Sequence, residues 1–283
     1  MTCYAKPTTV DEALALLARA DWRPLAGATD FYPAQGVNPI RENVMDINGL
    51  SELRGISETA ENIVIGARTT WMDLQCANLP PALDALKQAA REVGSVQIQN
   101  AATVAGNLCN ASPAADGVPV LLTLGAEVEL RSARETRCLP LPGFILGNRR
   151  TARQADELVT AIRIPKHSMR GTSAFFKLGA RRYLVISIAM AAVRIVADSK
   201  HVESAAVAVG ACSAVAQRLT RLETALAGRR IDEVVEIIAQ TELPELAPID
   251  DVRGSAGYRM AAAREIVLRA CNAALSAGGR RAA

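Results

Sequence analysis

Aromatic residues make up only 4% of this sequence, and histidine occurs twice in 283 residues. So few rings exclude a base-stacking platform for single-stranded nucleic acid. Basic residues pair at Arg149-Arg150, Arg181-Arg182, Arg229-Arg230 and Arg280-Arg281 without forming a block, and the net charge is only +3. Such pairs read as solvated surface, so no nucleic-acid partner is expected. Long apolar runs are lacking too. The longest, YLVISIAMAAVRIVAD (183–198), is interrupted by Arg194 and is too short and Ala-rich to span a bilayer. Val10 to Ala20 is a capped amphipathic segment rather than an apolar signal core. The expectation is a cytoplasmic protein with no membrane insertion.

The six cysteines, at 3, 76, 109, 138, 212 and 271, include no CxxC pair. A local zinc or iron–sulfur motif is therefore absent, no metal ligands are expected, and the thiols read as free groups in packed sites. Catalytic signatures are missing as well. No GxSxG, HExxH or paired-carboxylate arrangement occurs, and His167 and His201 sit in polar turn sequences. The chain brings no acid–base or nucleophilic machinery, so no catalytic residue is assigned and any chemistry belongs to a cofactor. The common nucleotide fingerprints, GxxxxGK[ST] and GxGxxG after a strand, are missing too.

What is present suffices for two or three domains. Thr8 and Thr9 precede Asp11 and Glu12 in a double capping-box pattern that predicts a helix through VDEALALLARA. RPLAG, NVMDI and NIVIGA read as strands. Thr69 or Thr70 caps a helix at WMDLQCAN, and Pro81 opens another that Gly94 ends. AADGVPVLLTLGA has helical length and ends at Gly125, and EVELRS alternates as a half-buried strand does. ELVTAIRIP ends a domain at Pro165, and KHSMRGTS reads as a flexible polar linker. Beyond it come strands at AFFKLG, VISIAMAAVRIVA and VESAAVAVGA, then three helices, and a disordered GGRRAA tail. The class is α+β.

Two clusters of small residues stand out: PLAGATD (24–30) and TVAGNLCNASPAAD (103–116). A diphosphate can be held by backbone N–H groups that small side chains leave uncovered. Gly27 and Gly106 allow close approach, while Thr29, Thr103, Asn107 and Ser112 offer short-range donors. Each cluster precedes a predicted helix, whose positive end would face an anion. Either loop alone reads equally as a tight turn with a helix cap. Together they predict two halves of one anion cradle.

PLAGATDFYP, IGARTTWMDL, ATVAGNLCNASPAADGVPVLLTLGAEVEL, ELVTAIRIP and FFKLGARRY, in this order, resemble the FAD-binding medium subunit of molybdenum hydroxylases, the xanthine dehydrogenase and carbon monoxide dehydrogenase family. The likeness runs from about Lys6 to Ala274, and the stretch from Thr103 to Asp116 is its most specific part. It implies a two-lobed FAD-binding domain of the PCMH/VAO type over 1–168, with lobes of about 1–55 and 56–168. A smaller C-terminal α/β domain of the CO dehydrogenase flavoprotein type follows over 172–278, with a tail at 279–283. FAD, non-covalently bound, is implied to lie extended between them. By the same likeness, Leu25, Ala26, Gly27, Ala28, Thr29 and Asp30 surround the diphosphate with Thr103, Ala105, Gly106 and Asn107. Asp116 matches an acid on the ribose or ribityl side, Val159 an apolar neighbour of the cofactor, and Lys177 a lysine reaching the flavin region.

The sequence departs from the family pattern at Ala28 and Ala105, where Gly-Gly is common, and both alanines are expected at negative φ. Gln99 replaces a common Arg, so no charge-based contact is implied there. The iron–sulfur loop inserted in some relatives is not seen. Read without the likeness, Asp30 is a helix N-cap, Lys177 a surface strand residue and Tyr183 core packing. The implied role is electron transfer: from the [2Fe-2S] clusters of a small partner subunit, in a complex with a large molybdopterin subunit, through FAD to a terminal acceptor. Two rival readings are a free-standing NAD(P)H-dependent flavin reductase and an interaction module whose flavin site has decayed.

Overall fold

The computed structural model describes residues 2–282. Its first unit is a three-stranded parallel sheet of β1 (Tyr4–Ala5), β2 (Arg23–Leu25) and β3 (Val44–Asp46), with β3 in the middle. Parallel neighbours require crossovers, supplied here by α1 (Val10–Leu17) and by α2 (Phe31–Gln35). The predicted capping box starts α1: Thr9 accepts from the Glu12 N–H, and the Glu12 carboxylate reaches back to the N–H groups of Thr8 and Thr9. Val10, Ala13, Leu14 and Leu17 form the buried stripe against Met45, Leu50 and Leu53.

The second unit holds a five-stranded antiparallel sheet. Its strands are β4 (Ile56–Glu58), β5 (Asn62–Gly66), β6 (Glu127–Arg131), β7 (Thr136–Pro140) and, after the small hairpin β8 (Ile145–Gly147) and β9 (Arg150–Thr151), β10 (Leu158–Pro165). β10 lies at the centre, between β5 and β6, and shifts register by a bulge between Val159 and Ala161. Between β5 and β6 the chain makes α3 (Trp71–Cys76), α4 (Asp84–Glu92), α5 (Val96–Ala101), α6 (Val104–Asn110) and α7 (Gly117–Thr123); the short α8 (Leu141–Phe144) follows β7. Thr70 starts α3 through a box with Asp73, and left-handed Gly94 and Gly125 follow α4 and α7, as their sequence signals predict.

The third unit is an antiparallel sheet in the order β11 (Thr172–Leu178), β12 (Ala189–Ala197), β13 (Val202–Gly210), β14 (Gln217–Arg218). Along β12 the side chains alternate between two cores. Met190 and Ala192 join α3, α4, α6 and α7, whereas Ala189, Ala191, Val193 and Ile195 pack on α9 (Thr220–Leu226), α10 (Val234–Gln240) and α11 (Ala256–Ala282). Burial on both faces explains why this segment is apolar at every position but Arg194 while remaining a strand.

Several expectations are corrected. Residues 166–173 are not a flexible linker. Lys166–Met169 form a 3₁₀ turn with Ser168 buried, and Gly171, at φ 85°, packs against the Ile195 carbonyl. The backbone of α11 continues to Ala282, where a disordered tail was expected; residue 283 lies outside the described residues. Of the six thiols only Cys212 and Cys271 are buried. Among the described residues, no helix is long and apolar enough to cross a membrane.

Candidate functional site

The first small-residue cluster leaves β2 at Leu25 and runs as a loop to Asp30, where α2 begins. A Cβ on Gly27 would overlap the Ala101 carbonyl and lie 2.8 Å from Ala102 Cα, so glycine is what lets this loop touch the entrance of the second cluster. The Ala26 carbonyl is held by the Asn48 amide at 2.8 Å. Ala28 sits at φ 59°, against the expectation of a negative value. The left-handed region costs an alanine about 1 kcal/mol, and left-handed residues within turns form anion-binding backbone concavities. Among the described residues, the N–H groups of Gly27, Ala28, Thr29 and Asp30 find no acceptor in the chain. Asp30 occupies the N-cap position of α2, but its side chain makes no capping bond.

The first half of the second cluster is itself helical, and residues 111–116 form the turn ahead of α7, as expected. Thr103 caps α6 by accepting from the Gly106 N–H at 2.9 Å, and Ala105, Gly106 and Asn107 lie in the helix. Ala105 has the negative φ expected of it. Most donors of this turn are already engaged: Val104 N–H bonds the Thr69 carbonyl, and Asn107 N–H the Thr103 carbonyl. The Asn107 side-chain Oδ1 accepts from the Gly117 N–H at 3.3 Å, which ties α6 to the start of α7. Ser112 closes its own turn by accepting from Ala114 N–H. The two clusters are therefore unequal. The first offers four consecutive free backbone donors, whereas in the second the free N–H groups among the described residues, those of Ala105, Ser112 and Asp116 included, are scattered between engaged ones.

Both clusters border a single cavity of about 1270 Å³. Every cofactor-binding residue proposed from the sequence lines it: Leu25, Ala26, Gly27, Ala28, Thr29, Asp30, Thr103, Ala105, Gly106, Asn107, Asp116, Val159 and Lys177. Val159 reaches the wall beside the β10 bulge, the kind of feature that re-aims a side chain. Sequence reasoning missed Trp71, Arg149 and the 184–186 segment, which also border the cavity. Trp71 is buried, and among the described residues its indole N–H has no acceptor. The nearest local signal for Trp71 was its place at the start of a capped helix, which says nothing of a ligand.

On the cavity wall Asp116 and Lys177 meet, 61 positions apart. Lys177 Nζ lies 2.7 Å from Asp116 Oδ2 and 3.2 Å from the Glu92 carbonyl, and Ser187 donates to Asp116 Oδ1 at 2.8 Å. The two charged side chains are 6% and 8% exposed. Burial pushes the Asp116 carboxyl above the usual carboxylate range, and Lys177 and Ser187 hold back part of that rise. Lys177 is thus not a surface strand residue. Tyr183 is not core either: it is 58% exposed, with the Arg182 guanidinium 5.3 Å from its ring centre. Gln99 is buried, accepts from the Gln75 amide and donates to the Arg91 carbonyl, outside the cavity wall.

These residues fit FAD: unsatisfied backbone donors for a diphosphate, a buried carboxylate and ammonium for polar groups, and Val159, Leu184 and Ile186 for an apolar ring system.

The family described as the FAD binding domain in molybdopterin dehydrogenase matches residues 1–167, and the CO dehydrogenase flavoprotein C-terminal domain matches 174–274. The carbon monoxide dehydrogenase medium chain of Hydrogenophaga pseudoflava is 30% identical, with 96% of each chain covered. The xanthine dehydrogenase FAD-binding subunit of Escherichia coli O157:H7 is 28% identical over 98% of this chain and 97% of its own. The solved Hydrogenophaga pseudoflava carbon monoxide dehydrogenase that lacks the Mo-pyranopterin moiety superposes with a TM-score of 0.85 at 30% identity, covering 97% of each chain.

Proposed function

Because this chain belongs to the FAD-binding medium subunits of the molybdenum hydroxylase family, we propose that it is the electron-transfer subunit of such an oxidoreductase. It takes electrons from [2Fe-2S] clusters in a small partner subunit and passes them through non-covalent FAD to a terminal acceptor. A large molybdopterin subunit acts on the substrate. The observation that carries this reading is the meeting of both small-residue clusters, with Asp116 and Lys177, on one cavity.

Bound FAD supplies one- and two-electron redox chemistry; the protein binds, orients and shields. The free N–H groups of Gly27 to Asp30 would hold the diphosphate through the backbone. Gly27 lets its loop meet the Ala101 carbonyl, and the missing Cβ of Gly106 leaves room for the Thr103 hydroxyl that caps α6. Asp116 cannot face a phosphate without repulsion, so its carboxylate accepts from a hydroxyl of the ribose or ribityl chain. Lys177 brings an ammonium from the C-terminal unit to the flavin end, and Val159 supplies an apolar contact. This reading assigns FAD binding to residues 1–168 and the closing unit to 172–278, and places the complex in the cytoplasm.

The test is twofold. The purified chain should retain stoichiometric FAD and, expressed with its neighbours, should co-purify with a [2Fe-2S] subunit and a molybdenum subunit. A folded chain that stays colourless in excess FAD overturns the flavin assignment. Rapid bleaching of the isolated flavoprotein by NADPH, with no partners recovered, favours a free-standing reductase instead.

A further inference from the structure

Asp116 is braced by residues that never touch the cavity. Arg259, in the first turn of α11, is 1% exposed and donates to the carbonyls of Ile188 at 2.7 Å and Ala211 at 3.0 Å. Those two acceptors lie on separate chain segments, and both segments lead to the acid end of the second cluster. Ile188 follows Ser187, which donates to Asp116. Ala211, at φ 62°, donates its N–H to the Pro113 carbonyl at 2.9 Å, three residues before Asp116. Asp251 holds Arg259 through Oδ1 at 2.5 Å and Arg253 through Oδ2 at 2.6 Å, and Arg253 in turn donates to the Ser187 carbonyl at 3.4 Å. The Arg259 Nε, buried, has no acceptor among the described residues. The guanidinium therefore keeps its two carbonyl bonds while one of its own donors goes unsatisfied, which is costly for a cation.

We propose that Arg259, set by Asp251, is a positioning residue that fixes Asp116 from two sides, through Ile188–Ser187 and through Ala211–Pro113, and so shapes the flavin site from outside its wall. The consequence for FAD rests on the flavin reading given above; the bracing itself does not. Ser187 carries the contact that matters chemically. Its hydroxyl occupies Oδ1 and leaves Oδ2 to Lys177, so the carboxylate presents one orientation. The charged groups facing Asp116 are Lys177 from β11 and Glu92 at the end of α4, the latter repulsive; the Ser187 hydroxyl favours the ionised form.

Two measurements on the full chain separate the bracing from the flavin reading. Without FAD, Arg259→Lys should raise hydrogen exchange about tenfold at the Ala115, Val118 and Ala211 amides, since a single lysine nitrogen cannot stand both where Nη1 bonds the two carbonyls and where Nη2 bonds Asp251. Unchanged exchange there overturns the bracing. If Arg259→Lys does not fold, Asp251→Asn takes its place and the same amides decide. With FAD, Ser187→Ala should weaken binding about tenfold at neutral pH, the scale of a hydrogen bond to a charged group. It should also move the acid limb of FAD binding to higher pH, because the carboxylate loses a donor. A loss equal at every pH, or no loss, overturns the positioning of Asp116. A parent chain that binds no FAD at all overturns the flavin assignment, and the exchange result still judges the bracing.

Discussion

Gly27 lies directly against the Ala101 carbonyl, 74 positions away, and leaves no room for a side chain between them. This contact sets the first loop beside the helix that carries the second cluster. Gly27→Ala must therefore push one backbone from the other. The expected result is a loss of FAD affinity of tenfold or more, measured by flavin fluorescence, with a fall in thermal stability on the scale of overpacking, about 1–3 kcal/mol. An alanine variant with unaltered affinity would show that the two loops need not touch.

Neighbouring Ala28 is a position where the exchange of alanine and glycine should matter little. Its left-handed φ costs about 1 kcal/mol, which glycine would relieve while adding a similar entropy to the unfolded chain. Ala28→Gly should thus leave the melting temperature within a few degrees of the parent and retain FAD. Ala28→Val, with a branched Cβ in the same conformation, should destabilise by more than about 1 kcal/mol in urea unfolding.

The Asp116–Lys177 pair links the second unit to the third. Removing either partner strands a buried charge, so Asp116→Asn or Lys177→Met alone should each cost about 3 kcal/mol in FAD-free chain. The double variant should recover part of that loss. Additive costs in the cycle would mean that the two groups do not interact across the interface.

Glu157, buried at the start of β10, provides the pH test. Burial opposes its charge, but the Arg137 guanidinium and the Gln154 N–H outweigh it and hold the carboxyl below its ordinary value of 4.5. A depressed folded-state pKa gives stability that is present above about 4.5 and is lost as pH falls through the folded value. Glu157→Gln should flatten this acid loss of stability. Because Arg137 also holds the Ala152 carbonyl, next to the hairpin that brings Arg149 to the cavity, FAD affinity should fall over the same pH range.

Several helix boundaries follow from short-range signals with a plain physical cause. Thr9 with Glu12, Thr70 with Asp73, and Gly94 and Gly125 work within one helical turn, so their partners are near in the chain and readable there. The small residues of 24–30 and 103–116 likewise announced exposed backbone, and the family likeness joined them around one cofactor. The helical state of 104–110 was less legible, because Gly106, Asn107 and Asn110 are weak helix formers and only Thr103 and burial of Val104, Ala105 and Leu108 fix it.

The tertiary structure alone decided which groups meet. Lys177 finds Asp116 because β11 lies along α4, and Arg259 reaches Ile188 and Ala211 because α11 packs beneath the same sheet. It also decided that Ala28 turns left-handed and that Tyr183 stays outside the core. A cap is chosen by neighbours a turn away, whereas a buried ion pair or a forced dihedral follows from how whole sheets and helices close on one another.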